Sequence, residues 1–385
     1  NEARNSRDNK YWILSNQLDF KVTEDLILTA SYAYKNRNRL NKRRSMPFDY
    51  SRQEGVFSTF TSGTITDFYQ EIHHDIDDHN VNAYATYEHT WKNKHNFKAV
   101  AGTQFEDYRT TELSVKKDDL LSKDLSSMSI ATGESTVTQT ISAFRTLGFF
   151  GRVNYDFEGK YLAEISGRWD GTSRFASKDR WGFFPSIAVG YNISEEAFFE
   201  PLKNVFSNMK IRASWGLVGN DNIGGARFVY MPTINLTGTG YTTGLDGDIT
   251  YKGPVYSRYG NPEVTWEVGK KVNVGLDLQL FNSLNLTMDY FHETRTDIFQ
   301  ERGTIPQYLG TAGTKVFGNL AAMKNQGFDF AADFNKKIGK DWFISFKGTF
   351  TYAHNEITKY DESPKYAFQS KVGQSANIPS IMISD

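Results

Sequence analysis

Every second residue is apolar over long stretches of this chain, which restricts those stretches to strands with one greasy and one wet face. From Tyr161 to Trp169 the apolar set is Tyr161, Ala163, Ile165, Gly167 and Trp169, against Glu164, Ser166 and Arg168. Met209, Ile211, Ala213, Trp215 and Leu217 oppose Lys210, Arg212 and Ser214. Val272, Val274, Leu276, Leu278 and Leu280 oppose Asn273, Asp277 and Gln279. The pattern returns at Leu26–Tyr34 and at Trp342–Tyr352, where Ile344, Phe346, Phe350 and Tyr352 face away from Ser345, Lys347, Thr349 and Thr351.

About twelve strands are expected, near 11–22, 26–35, 80–91, 96–106, 144–157, 161–171, 182–192, 209–218, 263–281, 284–297, 323–336 and 341–355. Most reach the roughly 9–11 residues of a tilted membrane strand, where soluble domains use about 5–6. Short turns at 23–25, 92–95, 158–160, 282–283 and 337–340 alternate with long polar connections near 36–79, 107–143, 219–262 and 298–322. A soluble sandwich has no reason to keep that parity. An outer-membrane barrel does, with short periplasmic turns and long extracellular loops. The connection 193–208 falls on the periplasmic side, and Ser194 is expected to cap a short helix there.

Composition matters mainly for what it excludes. The net charge of −1 over 385 residues offers nucleic acid no general attraction. With no cysteine, disulfides and thiolate metal sites are out. No apolar run is long enough for a transmembrane helix, and the polar start Asn1-Glu2-Ala3-Arg4-Asn5 is no signal peptide. The mean hydropathy of −0.54 is polar, yet a membrane barrel turns only alternate residues to lipid. Aromatic pairs at strand ends, Tyr155 with Phe157 and Phe198 with Phe199, suit girdles at the two interfaces. The expected fold is therefore all-β: a segment of an antiparallel transmembrane β-barrel.

The stretch Arg168-Trp169-Asp170-Gly171-Thr172-Ser173-Arg174-Phe175, then Arg180-Trp181-Gly182-Phe183-Phe184-Pro185-Ser186, then Ile193-Ser194-Glu195-Glu196, resembles the barrel signature of SusC/RagA-like TonB-dependent transporters of Bacteroidetes. Ile211–Asn220, Asn261–Glu267 and Lys324–Asp329 match further; Thr172 and Tyr191 depart mildly. The resemblance covers about residues 144–360. It implies a barrel of about 22 strands, an N-terminal plug, energy from TonB through that plug, and a SusD-like surface lipoprotein that captures oligosaccharides or peptides. Residues 1–385 are then expected to be part of the barrel domain, without the plug and the remaining strands.

Within the matched motif, Arg168 and Asp170 near a strand end could pair with each other, and Arg174 is a candidate to reach a ligand. The structural reading is preferred for Arg168, Asp170, Gly171, Arg174, Trp181, Gly182 and Pro185: the glycines permit tight loop geometry and Pro185 stands near a strand start. Tyr241, Tyr251, Tyr256, Tyr259 and Trp266 crowd the region 219–266, where flat rings with polar tips suit sugars or peptides at a wet mouth, and loop packing equally. His73-His74-Asp75-Ile76-Asp77-Asp78-His79 carries metal-ligand residue types without a recognised ligand spacing, so a solvated loop or lumen face is preferred. Gly244–Asp248 lacks the positions of a calcium loop. The basic residues Lys35, Arg37, Arg39, Lys42, Arg43 and Arg44 could meet lipopolysaccharide phosphate or acidic substrate, but a hydrated loop is the plainer reading. No metal or cofactor is expected.

The expected function is active import of a bulky nutrient, oligosaccharide or peptide, across the outer membrane, without catalysis. The alternatives are an outer-membrane phospholipase, which needs a serine–histidine pair near Ser166, Ser186 or Ser214, and a passive porin.

Overall fold

The computed structural model describes residues 4–60, 66–224, 228–305, 314–339 and 341–376. Its strands are β1 (Arg4–Lys21), β2 (Leu26–Ser45), β3 (Phe48–Gln53), β4 (Val56–Phe60), β5 (Phe68–Trp91), β6 (His95–Asp118), β7 (Ser135–Phe157) and β8 (Tyr161–Thr172). They continue as β9 (Trp181–Asn192), β10 (Phe206–Asn220), β11 (Thr233–Thr243), β12 (Ile249–Arg258), β13 (Glu267–Leu280), β14 (Leu284–Glu301), β15 (Phe317–Ile338) and β16 (Trp342–Lys359). Twelve form one sheet in the order β1-β2-β5-β6-β7-β8-β9-β10-β13-β14-β15-β16. Each expected strand is one of these twelve.

Several strands run further than the alternation predicts. β2 continues to Ser45, β5 starts at Phe68, β6 ends at Asp118 and β7 starts at Ser135. The extensions are held by polar cross-strand pairs instead of a greasy face: Asn36 Nδ2 donates to Asp75 (3.2 Å) and Asp77 (3.0 Å), and Gln70 Nε2 to Ser114 (2.9 Å). Strands of 24 residues, as in β5 and β6, are about twice what a tilted membrane crossing needs. Two hairpins also fold inside connections expected to be loops. β3 pairs with β4 across Gly55 (φ +78°), and β11 with β12 across Gly244 and Gly247 (φ +103° and +66°). Positive φ at these turns suits glycine.

The chain divides into two compact units. The first comprises residues 1–19, 29–83 and 104–146. Its buried apolar residues are Met46, Phe68, Tyr69 and Ala131, and Arg44 is buried too. Arg44 pairs with Asp67 and donates to the carbonyls of Ser45 (2.7 Å), Phe68 (3.2 Å) and Ser122 (3.4 Å), so one guanidinium ties three connections together. Burial of a cation is tolerable only with such pairing.

The second unit comprises residues 20–28, 84–103 and 147–385. Register keeps its two faces distinct. Ala163, Val189, Ala213, Val274 and Tyr290 follow one another across β8, β9, β10, β13 and β14, as do Ile165, Ile187, Trp215 and Val272 across the first four. This apolar face is not covered by a second layer: Ile165 is 62% and Phe183 64% exposed, and Val189, Val274 and Phe328 are exposed too. A soluble protein rarely leaves so broad an apolar surface open.

Aromatic rings border that face at both ends. Along the short turns, Tyr87, His89, Trp91 and Phe97 contact one another, as do His95, Tyr155, Phe157, Tyr161 and Tyr191, at 4.8–6.4 Å between ring centres. At the opposite end Phe149, Trp169 and Trp181 form a second group, at 4.7–6.4 Å. From Tyr161 to Trp169, β8 rises about 26 Å along its axis, close to the ~25 Å apolar band of an outer-membrane barrel before tilt shortens it.

Two local expectations are corrected. Ser194 is not a helix cap: the connection contains 3-10 turns at Ile193–Glu195 and Ala197–Leu202, and the buried Ser194 hydroxyl donates to Asn208 at 3.3 Å. It ties the turn to β10 instead. Pro185 lies inside β9, not near its start; the β9–β10 ladder stops at Ser186, next to the missing N–H, while the β8–β9 ladder continues to Trp181.

Glu196 fastens the same turn. It accepts from the Tyr161 hydroxyl (2.6 Å) and the Tyr191 hydroxyl (3.3 Å) and faces Lys160 (3.6 Å). The Tyr161 bond first, with Lys160, holds its carboxyl below the ordinary glutamate range against the opposing effect of burial. A lowered folded value stabilises the turn above the ordinary range and is lost as pH falls through it toward the folded value. Protection factors of the amides at residues 193–205, which remove the intrinsic pH dependence of exchange, are therefore expected to fall on acidification across that window, and Glu196→Gln to flatten the change.

Candidate functional site

The polar face of the second unit carries a continuous row of side chains at one level. Register aligns Gly190, Arg212, Gly275, Asp289, Asp329 and Thr351 across β9, β10, β13, β14, β15 and β16. Arg212 bonds Asp277 through Nε (2.7 Å) and Nη2 (3.0 Å), then reaches over β13 to Asp289 (3.1 Å). Gly275 makes this possible, since a Cβ there would lie 2.7 Å from the guanidinium carbon. Thr351 donates to Asp329 at 2.7 Å. The row was not singled out from sequence; its trace is a glycine among the polar-face positions of β13.

Toward the short turns the same unit encloses a cavity of about 480 Å³, bordered on its polar side by Glu88, Lys98, Asn154, Glu164, Lys210 and Arg212. Lys98 pairs with Glu88 (2.8 Å), and Asn154 donates to Glu164 (2.6 Å). Ser166 and Ser186 bond each other at 2.7 Å on this face. The surface is rich in donors and acceptors and suits passage of a hydrated solute.

The sequence motif forms a second cluster, at the long-connection end. Phe175, Ile223, Val229, Val264 and Trp266 are buried together, with Phe184 and Phe299 against them. Trp266 lies edge-on to Phe175 (5.7 Å) and Phe184 (5.2 Å), and its Nε1 donates to the Arg180 carbonyl at 3.0 Å. Asn319 completes the clasp, accepting from the Thr265 amide (2.9 Å) and donating to the Thr265 carbonyl (2.8 Å). The fragments 168–186 and 261–267, distant in sequence, thus close one packed site.

The motif residues take up the following positions. Arg168 bonds Asp170 through two nitrogens, at 3.0 and 2.9 Å, and lies over the Phe150 ring. Arg174 is half-buried and pairs with Asp221 at 2.7 Å. Gly171 and Gly182 are strand residues, not tight loops: a Cβ on Gly171 would lie 2.8 Å from the Trp181 ring, and one on Gly182 would lie 2.4 Å from the Phe184 ring. They make room for rings. Trp181 stands on the other face, in the outer aromatic group.

Tyr241 and Tyr251 are exposed on opposite strands of the β11–β12 hairpin. Tyr256 is exposed at its base and stacks on Tyr259 at 5.2 Å. The structure places Tyr241, Tyr251 and Tyr256 on one hairpin, with Tyr259 just past its last strand, and holds Arg174 against Asp221. It corrects the expectation for Trp266, which is buried beside Phe175 and not at a wet mouth. Gly244–Asp248 is that hairpin's turn. The run His73–His79 lies within β5, so alternation splits it. His74 faces Glu112 (3.2 Å), whereas His79 stacks on Tyr34 (4.5 Å).

Comparison with known proteins agrees with this geometry. The family profile "TonB dependent receptor-like, beta-barrel" matches residues 1–381. TonB-dependent receptor SusC of Bacteroides thetaiotaomicron is 35% identical over 236 residues, covering 59% of this chain and 23% of that protein. TonB-dependent receptor P39 of Formosa agariphila is 28% identical over 359 residues, covering 88% of this chain and 30% of that protein. The chain thus spans under a third of these curated relatives. Among solved structures, the RagAB peptide transporter superposes with a TM-score of 0.78 at 23% identity, over 97% of this chain and 40% of that one.

Proposed function

We propose, since this chain belongs to the TonB-dependent receptor-like β-barrel family and is of its SusC/RagA type, that it walls part of an outer-membrane importer for a bulky nutrient. Members of this family are outer-membrane proteins, and the observation that carries the reading here is the uncovered apolar face between two aromatic borders, backed by a charged, hydrogen-bonded face. Residues 1–385 supply strands of the barrel domain. The 18-residue edges β1 and β16 need neighbours, which the remaining strands would provide, and the plug that takes energy from TonB belongs to the same longer protein.

Cargo is an oligosaccharide or a peptide. It meets the tyrosines Tyr241, Tyr251, Tyr256 and Tyr259 at the outer mouth, under a SusD-like lipoprotein, and passes along the row of Arg212, Asp289 and Asp329. Arg168, Asp170, Gly171, Arg174, Trp181, Gly182 and Pro185 serve the shape of the wall and its loop. Import rather than lipolysis is favoured because Ser166 and Ser186 engage each other. Uptake of labelled cargo by cells carrying the full-length protein should stop when the proton-motive force is collapsed. A passive pore would keep conducting, and uptake that continues would overturn the reading.

A further inference from the structure

We propose that Arg37 and Arg39 of β2, with Arg7 of β1, form a binding site for carboxylate-bearing cargo on the polar face of the first unit. Partners sort the basic run they belong to. Lys35 pairs with Asp78 (3.5 Å), Lys42 with Glu71 (3.9 Å) and Arg44 with Asp67, while Arg43 lies over the Phe68 ring (5.2 Å). The side chains of Arg37 and Arg39 take part in no ion pair or hydrogen bond among the described residues, although their backbone belongs to the β2 ladder. The Arg39 Nε is moreover shielded from solvent with no acceptor, and a buried N–H normally has one.

Their face follows from their neighbours. Lys35 meets Asp78, Arg7 donates to Asn41 at 3.1 Å, and Asn41 contacts His74 at 3.4 Å, so the odd residues of β2 share a face with the even residues of β5. The opposite face holds Trp12, Tyr34 and His79, in ring contact at 4.8 and 4.5 Å. A lipid phosphate would approach that opposite face, which argues for cargo as the source of the anion.

Arg7, Arg39 and His74 border one cavity of about 630 Å³; Asp8 and Asp75, one residue out of phase, border it too, and Asp75 accepts from Asn36. Glu112, on the same polar face, is held by His74 at 3.2 Å. Arg37 and Arg39 are about 7 Å apart along the strand. Each offers a planar fork of donors matched to a carboxylate, so the pair suits a chain bearing several acids.

What the site is for rests on the import reading; binding to purified protein does not, so either can fail alone. Titration calorimetry of the full-length protein at low salt would use oligogalacturonate against a neutral gluco-oligosaccharide, and oligoglutamate against oligoglutamine. One acidic probe should bind at least tenfold tighter than its neutral counterpart, and which one identifies the source as sugar or peptide. The double variant Arg37→Gln, Arg39→Gln should remove that preference. Should the variant fail to fold, the wild-type preference must itself shrink as salt is raised. Failure of both acidic probes to bind, a preference that survives the double variant, or one indifferent to salt would overturn the proposal.

Discussion

Replacing Trp266 by alanine should detach the connection 221–266 from the sheet, at a cost of about 4 kcal/mol. The ring is nearly buried, touches Phe175 and Phe184, and its N–H holds the Arg180 carbonyl. Truncation empties the centre of the cluster, and the strands beneath cannot slide in to refill it because their ladders fix them. Hydrogen exchange and limited proteolysis should then show residues 174–180, 221–224 and 228–266 opening together, while β9 and β10 stay protected. Trp266→Phe keeps most of the packing and loses the hydrogen bond, costing about 1 kcal/mol. An alanine variant as protected as the parent would refute the view that the motif closes this loop.

A charge placed at Ile165 should cost far more than one placed next to it. Ile165 lies midway between Tyr161 and Trp169 on the apolar face, where arginine faces hydrocarbon and costs about 3 kcal/mol. Ser166 points the other way and bonds Ser186, so Ser166→Arg loses about 1 kcal/mol. In a water-soluble sheet, replacing an isoleucine as exposed as Ile165 would change stability by about 0.5 kcal/mol or less. Urea unfolding in lipid vesicles measures both variants, and equal costs would count against a lipid-facing side.

The strands were legible because lipid on one side and polar groups on the other enforce a period of two at every position, as in Met209–Leu217. That signal fades where β2, β5, β6 and β7 leave the apolar layer. There Asn36, Asp75, Asp77 and Gln70 stabilise the ladder by hydrogen bonds, which impose no apolar period. The β11–β12 hairpin lay hidden in a loop for the same reason. The motif around Arg168 was visible as residues but not as a place: its partner Trp266 is far along the chain, and only the fold brings Gly182, Phe184 and Trp266 together. Gly171 and Gly182 were understood as glycines with a geometric task, yet the task is space for rings, which depends on the neighbouring strand. Arg212 was seen only as a polar-face residue. Its reach to Asp289 requires knowing that Gly275 sits between them.

All of this depends on β8 having hydrocarbon on one side and water on the other. The chain contains no cysteine, so single cysteines at Ala163, Glu164, Ile165 and Ser166 can each carry a nitroxide label in the full-length protein in lipid vesicles. Labels at Ala163 and Ile165 should collide mainly with oxygen, which concentrates in lipid, and labels at Glu164 and Ser166 mainly with a water-soluble nickel complex. Four labels with the same preference would contradict the account.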